Sequence, residues 1–125
     1  VYKKFEWADA VIVASPIYFG GITGQLKNMV DRFNSYWVAR YVLNKEPARN
    51  KKGAFICVAA KDRADFFENA KKTIKALFAT LNIEYITDLF IGGTEEAADI
   101  MKTPRNIKKA FELGSMLANG RNPVN

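Results

Sequence analysis

Three short strand-like runs, two of them uninterruptedly apolar and each separated from the next by a stretch with helical spacing, limit this chain to a narrow set of architectures. The runs are Ala10 to Ala14, Ala54 to Ala59 and Tyr85 to Ile91. The first two contain no polar alternation, the pattern of strands covered on both faces. Between and after them lie helical stretches. One runs from about Gly24 to Trp37, with Leu26, Met29, Val30 and Phe33 on one face and Thr23 placed to cap its start. A second spans Phe66 to Leu81, with Ala70, Ile74, Leu77, Phe78 and Leu81 as its apolar stripe. The last starts at Thr103-Pro104, carries Ile107, Ala110, Phe111 and Leu117 as its stripe, and stops at Gly120. Val1 to Trp7 reads as the end of a helix, and Asn44 to Lys52 as a polar connection punctuated by Pro47. Strands alternating with helices imply parallel pairing through right-handed crossovers, hence a doubly wound α/β sheet in one domain, residues 1–125.

Composition removes several chemistries. The chain has no histidine and a single cysteine, Cys57, so zinc sites of the usual nitrogen and sulfur kind, Ser-His-Asp and Cys-His catalysis, and an internal disulfide are excluded. Cys57 lies inside an apolar run and reads as a small core residue. No apolar run approaches the roughly 18–20 residues of a membrane span, and no leader pattern opens the chain, which gives the expectation of a cytoplasmic protein without membrane contact. The net charge is +6, from 19 basic and 13 acidic residues. The basic residues are dispersed, and their densest group, Lys45, Arg49, Lys51 and Lys52, reads as a solvated connection rather than a nucleic-acid site. Lys27 and Asp31 are spaced for an intrahelical ion pair. Arg32 reads as solvated. Glu95, Glu96 and Asp99 read as solvated loop carboxylates. Tyr36, Trp37 and Tyr41 follow no clean stripe and suit a subunit contact.

Open α/β sheets bind ligands beyond the carboxyl ends of their strands. There the sequence places Ser15 to Thr23, Ala60 to Asp65 and Gly92 to Glu96. The first loop is the informative one. Pro16 stiffens the strand exit, Tyr18 and Phe19 offer flat faces, Gly20 and Gly21 let backbone N–H groups approach a planar ligand, and a helix N-terminus follows. Such parts hold an aromatic ring and stabilise negative charge on it. The same residues also fit a tight turn whose aromatics pack inward, and on the residues alone both readings stand.

The segment Ala8 to Gly20, followed by Leu26-Lys27 and Asp31-Arg32-Phe33, resembles the signature of the flavodoxin-like NAD(P)H-dependent FMN reductases, and Pro104 to Ala118 is similar to the last helix of the iron–sulfur flavoprotein and multimeric flavodoxin branch. The resemblance implies a five-stranded parallel sheet of order 2-1-3-4-5, with the third to fifth strands present here as the C-terminal portion of a longer domain. It implies FMN at the strand tips, contacted by Ser15, Pro16, Ile17, Tyr18, Phe19, Gly20 and Gly21, with Ala60, Lys61, Asp62 and Arg63 on the ring's other side. That second loop departs from the family, which often has glycines and serines there. NAD(P)H is implied as co-substrate and a quinone, flavin, metal or protein as electron acceptor. The implied assembly is a homodimer or homotetramer. An iron–sulfur cluster is implied only with cysteines upstream of Val1. The chain begins at Val1 rather than Met and reads as a fragment, since the family's phosphate loop would precede it. Two other functions compete: a flavodoxin-type electron carrier, against which the basic charge argues, and a non-enzymatic interaction module using Lys45 to Lys52.

Overall fold

A computed structural model describes residues 1–119. The elements run α1 (Tyr2–Trp7), β1 (Ala10–Pro16), α2 (Gly24–Arg32), α3 (Asn34–Trp37), a π-helical turn (Val38–Val42), β2 (Lys51–Val58), α4 (Ala64–Thr80), β3 (Ile83–Ile91), α5 (Ala97–Met101) and α6 (Pro104–Ala118). The three strands form one parallel sheet in the order β1-β2-β3. This is the open parallel α/β sheet expected from the alternation of strands and helices, and its order fits the third to fifth strands of the flavodoxin-like fold that the resemblance implies. Gly120, expected to end the last helix, lies outside the described residues.

Helices cover the sheet on two sides. Val11 and Val13 of β1, Phe55 and Cys57 of β2 and Ile83 of β3 point to one face, where they bury Phe67, Ala70, Ile74, Leu77 and Phe78 of α4 and Phe33 from the end of α2. Ala54, Leu89 and Ile91 point to the other face and meet Leu113 and Leu117 of α6. Along β3 the alternation breaks once: Gly53 pairs with Tyr85 while Ala54 pairs with Thr87, so Ile86 is an extra residue. The bulge shifts the parity, so that Tyr85 before it and Phe90 after it both face α4, whereas Ile86, Leu89 and Ile91 face α6. Gly53 sits at this bulge, and a Cβ there would lie 2.4 Å from Phe78 and 2.5 Å from Ile83.

Four expectations are corrected. First, β1 is not covered on both faces. It is an edge strand whose Ala10, Ile12 and Ala14 are exposed, because α6 reaches only β2 and β3. Second, the helix expected over Gly24 to Trp37 breaks at Phe33 (φ −77°, ψ 2°), whose N–H donates to the Val30 carbonyl at 3.0 Å. The buried Phe33 ring is gripped edge-on by Tyr2 (5.2 Å between centroids), Phe5 (4.8 Å) and Tyr36 (5.4 Å), which decides where the helix ends. Third, Ile107 and Phe111 are exposed. Ala110, Leu113 and Leu117 form the face of α6 that packs, since it alone meets the bulged side of β3. Fourth, Lys51 is not solvated, whereas Arg49 stays exposed as expected. Lys51 is 5% exposed in β2, and its ammonium donates to the Phe5 and Glu6 carbonyls at the end of α1. Arg49 pairs with Asp9 at 2.9 Å and donates to the Ala8 carbonyl.

Two expectations about α2 hold. Thr23 caps α2 by accepting from the Leu26 N–H at 3.2 Å, and Lys27 pairs with Asp31 at 2.6 Å on the surface. Asp99, expected in a loop, instead starts the short α5 by accepting from the Glu96 N–H at 3.1 Å. Cys57 is fully buried, and burial pushes its thiol up from 9.0 to about 12. Folding therefore favours the protonated thiol. That contribution is complete at neutral pH and is lost as the pH climbs from 9.0 toward about 12. Iodoacetamide at pH 8 is expected to leave native protein unlabelled and to modify Cys57 fully in denaturant. Mass spectrometry reads both, and rapid native labelling would show the thiol is reachable.

Candidate functional site at the strand tips

The loop after β1 is built on a hydrogen-bonded frame. The Ser15 hydroxyl is buried; it donates to the Pro16 carbonyl at 2.8 Å and accepts from the Thr23 N–H at 3.2 Å, tying the strand end to the start of α2. The Ile17 N–H donates to the Val58 carbonyl at 2.8 Å, and its side chain packs on the core. Ser15 and Ile17 thus support the loop from below rather than facing outward.

Above this frame the chain reverses in a two-residue turn. The Tyr18 N–H donates to the Gly21 carbonyl at 3.0 Å, and the Gly21 N–H donates to the Tyr18 carbonyl at 3.2 Å. Both central residues have positive φ, Phe19 at 51° and Gly20 at 77°, as in a type I′ turn. Glycine takes that conformation freely, but phenylalanine pays of order 1 kcal/mol or more. Phe19 is nonetheless fully exposed and Tyr18 is 63% exposed. Of the two readings of the loop, the one with inward-packed aromatics is not the one the fold adopts.

The backbone groups differ from expectation in one respect. The Gly21 N–H is committed within the turn, so the amides left over for a ligand are those of Phe19 and Gly20, which have no hydrogen-bond partner among the described residues. Nor does Gly20 open toward solvent: it is buried, and a Cβ on it would lie 3.3 Å from the Phe66 ring.

The loop after β2 forms the neighbouring wall. The Ala59 N–H donates to the Ile91 carbonyl and its carbonyl accepts from the Thr94 N–H, which holds this loop against the end of β3. Ala60, Lys61 and Asp62 are exposed. Asp62 leans on Gly92, where a Cβ would lie 2.6 Å from the Asp62 Cα. Arg63 turns back over the Phe66 ring at 4.0 Å and grips Asp65 at 2.6 Å, and that guanidinium holds the exposed Asp65 carboxyl below its ordinary range.

Phe66 and Asn69 were missed in the sequence. Asn69 Nδ2 donates to the Gly20 carbonyl at 2.7 Å, and Phe66 underlies Gly20. They stand three apart in the first turns of α4, on one face, and a helix that starts beside the strand tips presents that face to the adjoining loop. That spacing was the available signal.

Away from the tips, a groove of about 570 Å³ runs between the open face of β1 and α6, lined by Ala10, Ile12, Lys52 and Leu117 among others. It lies at the amino ends of the strands and shares no residue with the turn. Among the described residues no cluster of side chains suits a metal ion, and no helix is long and apolar enough to cross a membrane.

The parallel sheet with flanking helices is a flavodoxin-like α/β fold, and an aromatic-tipped glycine turn stands at the tip of its first strand. Residues 1–93 match the family described as NADPH-dependent FMN reductase, and the chain belongs to that family. An iron–sulfur flavoprotein of Methanocaldococcus jannaschii is 40% identical over 80 residues, covering 62% of this chain and 37% of that protein. The match thus spans little more than a third of that protein's length, and 28% of a second iron–sulfur flavoprotein from the same organism. Among solved structures, a flavone reductase superposes with a TM-score of 0.72 at 19% identity, over 94% of this chain and 44% of the other. General stress protein 14 of Treponema denticola, solved in complex with FMN, gives a TM-score of 0.57 at 20% identity, over 92% of this chain and 70% of that one. These two likenesses bear on the fold.

Proposed function

We propose that the strand-tip turn binds the ring of FMN in an oxidoreductase that takes electrons from NAD(P)H and passes them to a quinone, flavin, metal or protein acceptor. One observation carries the reading: Phe19 is held in a left-handed conformation with its ring entirely in solvent, two costs that a flat bound partner offsets. The family membership supports the same cofactor.

The residues present fit such a group. Tyr18 and Phe19 would supply faces for stacking, and the Phe19 and Gly20 amides would supply donors for the negative charge of a reduced ring. Ala60, Lys61 and Asp62 flank the ring's other side. Bound FMN would supply the hydride-accepting and electron-releasing chemistry. This chain's part is to bind, orient and partly desolvate the ring and to offer positive potential from amides and from the start of α2. No histidine or other side-chain base is needed for that role. In this proposal the protein works as a homodimer or homotetramer, with the half-exposed Trp37 and Tyr41 in the contact between copies.

Titration of FMN into the protein, followed by flavin fluorescence, tests the site. Tyr18→Ala with Phe19→Ala is expected to weaken binding by about 1–3 kcal/mol, roughly fivefold to 150-fold. Unchanged affinity would remove the turn from the site. NADPH and NADH oxidation with quinone, dye or ferric acceptors then separates a reductase from a simple electron carrier: flavin binding without nicotinamide turnover favours the carrier.

A further inference from the structure

The turn that presents Tyr18 and Phe19 does not hold its shape by its own preferences. Type I′ turns favour Asn-Gly, because both central residues need positive φ. Here the first central residue is Phe19, for which that region is unfavourable. Left to itself, the segment has reason to relax Phe19 to negative φ and turn the ring and its amide elsewhere. Two groups from another element oppose that relaxation. Asn69 Nδ2 donates to the Gly20 carbonyl at 2.7 Å and is partly buried in doing so. The Phe66 ring lies against Gly20, 3.3 Å from where a Cβ would stand, and is itself backed by the Arg63 guanidinium at 4.0 Å.

We infer that Asn69 is a positioning residue: its amide, with Phe66 as the shelf beneath, locks the Phe19–Gly20 turn in the left-handed form that turns the Phe19 ring outward and leaves the Phe19 and Gly20 amides unpaired. This rests on the flavin reading for its functional meaning, but the lock is a property of the protein alone. A carbonyl pinned at Gly20 fixes the plane of the Gly20–Gly21 peptide and limits how far the Phe19–Gly20 peptide can rotate. Preorganised donors lose less freedom when a ligand arrives, so the lock raises affinity without touching the ligand.

Asn69→Asp is the sharp variant, since it keeps the shape and replaces the donor with a charged acceptor facing a carbonyl. Asn69→Ala is its companion, should the aspartate disturb folding. In protein without flavin, the three-bond HN–Hα coupling of Phe19 and the amide exchange rates of Phe19 and Gly21 read the turn directly. FMN fluorescence titration reads its consequence. The expected result is a shift of the Phe19 coupling away from the left-handed value, exchange of the Gly21 amide at least tenfold faster, and FMN binding about tenfold weaker in both variants, with thermal midpoints near wild type. Unchanged coupling and exchange in both variants would overturn the inference, whatever happens to flavin affinity. Altered coupling with unchanged affinity would overturn the positioning role while leaving the hydrogen bond real. Wild-type protein that takes up no FMN would sink the flavin reading instead, and the coupling data would then decide the lock by themselves.

Discussion

Gly53→Val is expected to be the most damaging single substitution in the sheet. A Cβ at this position falls 2.4 Å from the Phe78 ring and 2.5 Å from Ile83, and both neighbours are buried in the core. Neither can yield as the tip of a flexible side chain would. Phe78 is locked in α4 against the sheet, and Ile83 is the first residue of β3. The position also sits at the bulge, so a backbone shift there would disturb the pairing of β2 with β3 on both sides. Overpacked cores commonly lose 1–3 kcal/mol, and valine's two further methyls put this site at about 3 kcal/mol or more. Against a total stability of roughly 5–15 kcal/mol, that is a large share. Urea denaturation followed by far-UV circular dichroism measures it. A midpoint equal to wild type would mean that α4 can ride away from the sheet at no cost, contrary to the packing described above.

Phe33→Ala is expected to cost about 3–5 kcal/mol, the range for removing a buried aromatic ring. Phe33 is 2% exposed, and three rings meet it at centroid distances of 4.8 to 5.4 Å. Two of them, Tyr2 and Phe5, belong to α1, which buries no residue completely. The ring is therefore the main apolar tie between α1 and the rest of the domain, beside the Lys51 ammonium under the helix end. The loss should appear both in the denaturation midpoint and as faster amide exchange confined first to α1 and α3. Flavin affinity should follow only the global stability, because the strand tips do not contact Phe33. A variant as stable as the parent, with α1 still protected, would show that the tie lies elsewhere.

Much of this was legible in the sequence, for physical reasons that differ by region. The strands showed because a β-branched run such as Val11-Ile12-Val13 has few other places to go. The capping of α2 by Thr23 and the start of α6 at Pro104 showed because those signals are local. What stayed hidden depends on partners far away in sequence. Val11-Ile12-Val13 reads as doubly covered, yet the cover on one side depends on where α6 lies, and α6 lies over β2 and β3. Leu26 to Phe33 reads as one helix continuing to Trp37, yet rings from residues 2 and 5 fix its break. At the site, Tyr18, Phe19 and Gly20 could be named from composition and chain order. Which amide was spent inside the turn could not, nor could the dependence of Gly20 on residues nearly fifty positions later.

The extra residue in the third strand has a practical consequence for anyone who mutates it by rule. Up to Tyr85, odd-numbered side chains look toward the long helix; beyond Thr87, even-numbered ones do. A scan that assumed one convention throughout would assign half of its positions to the wrong layer. It would then charge a hydrophilic replacement at Phe90 to α6 and one at Leu89 to α4, the wrong helix in both cases.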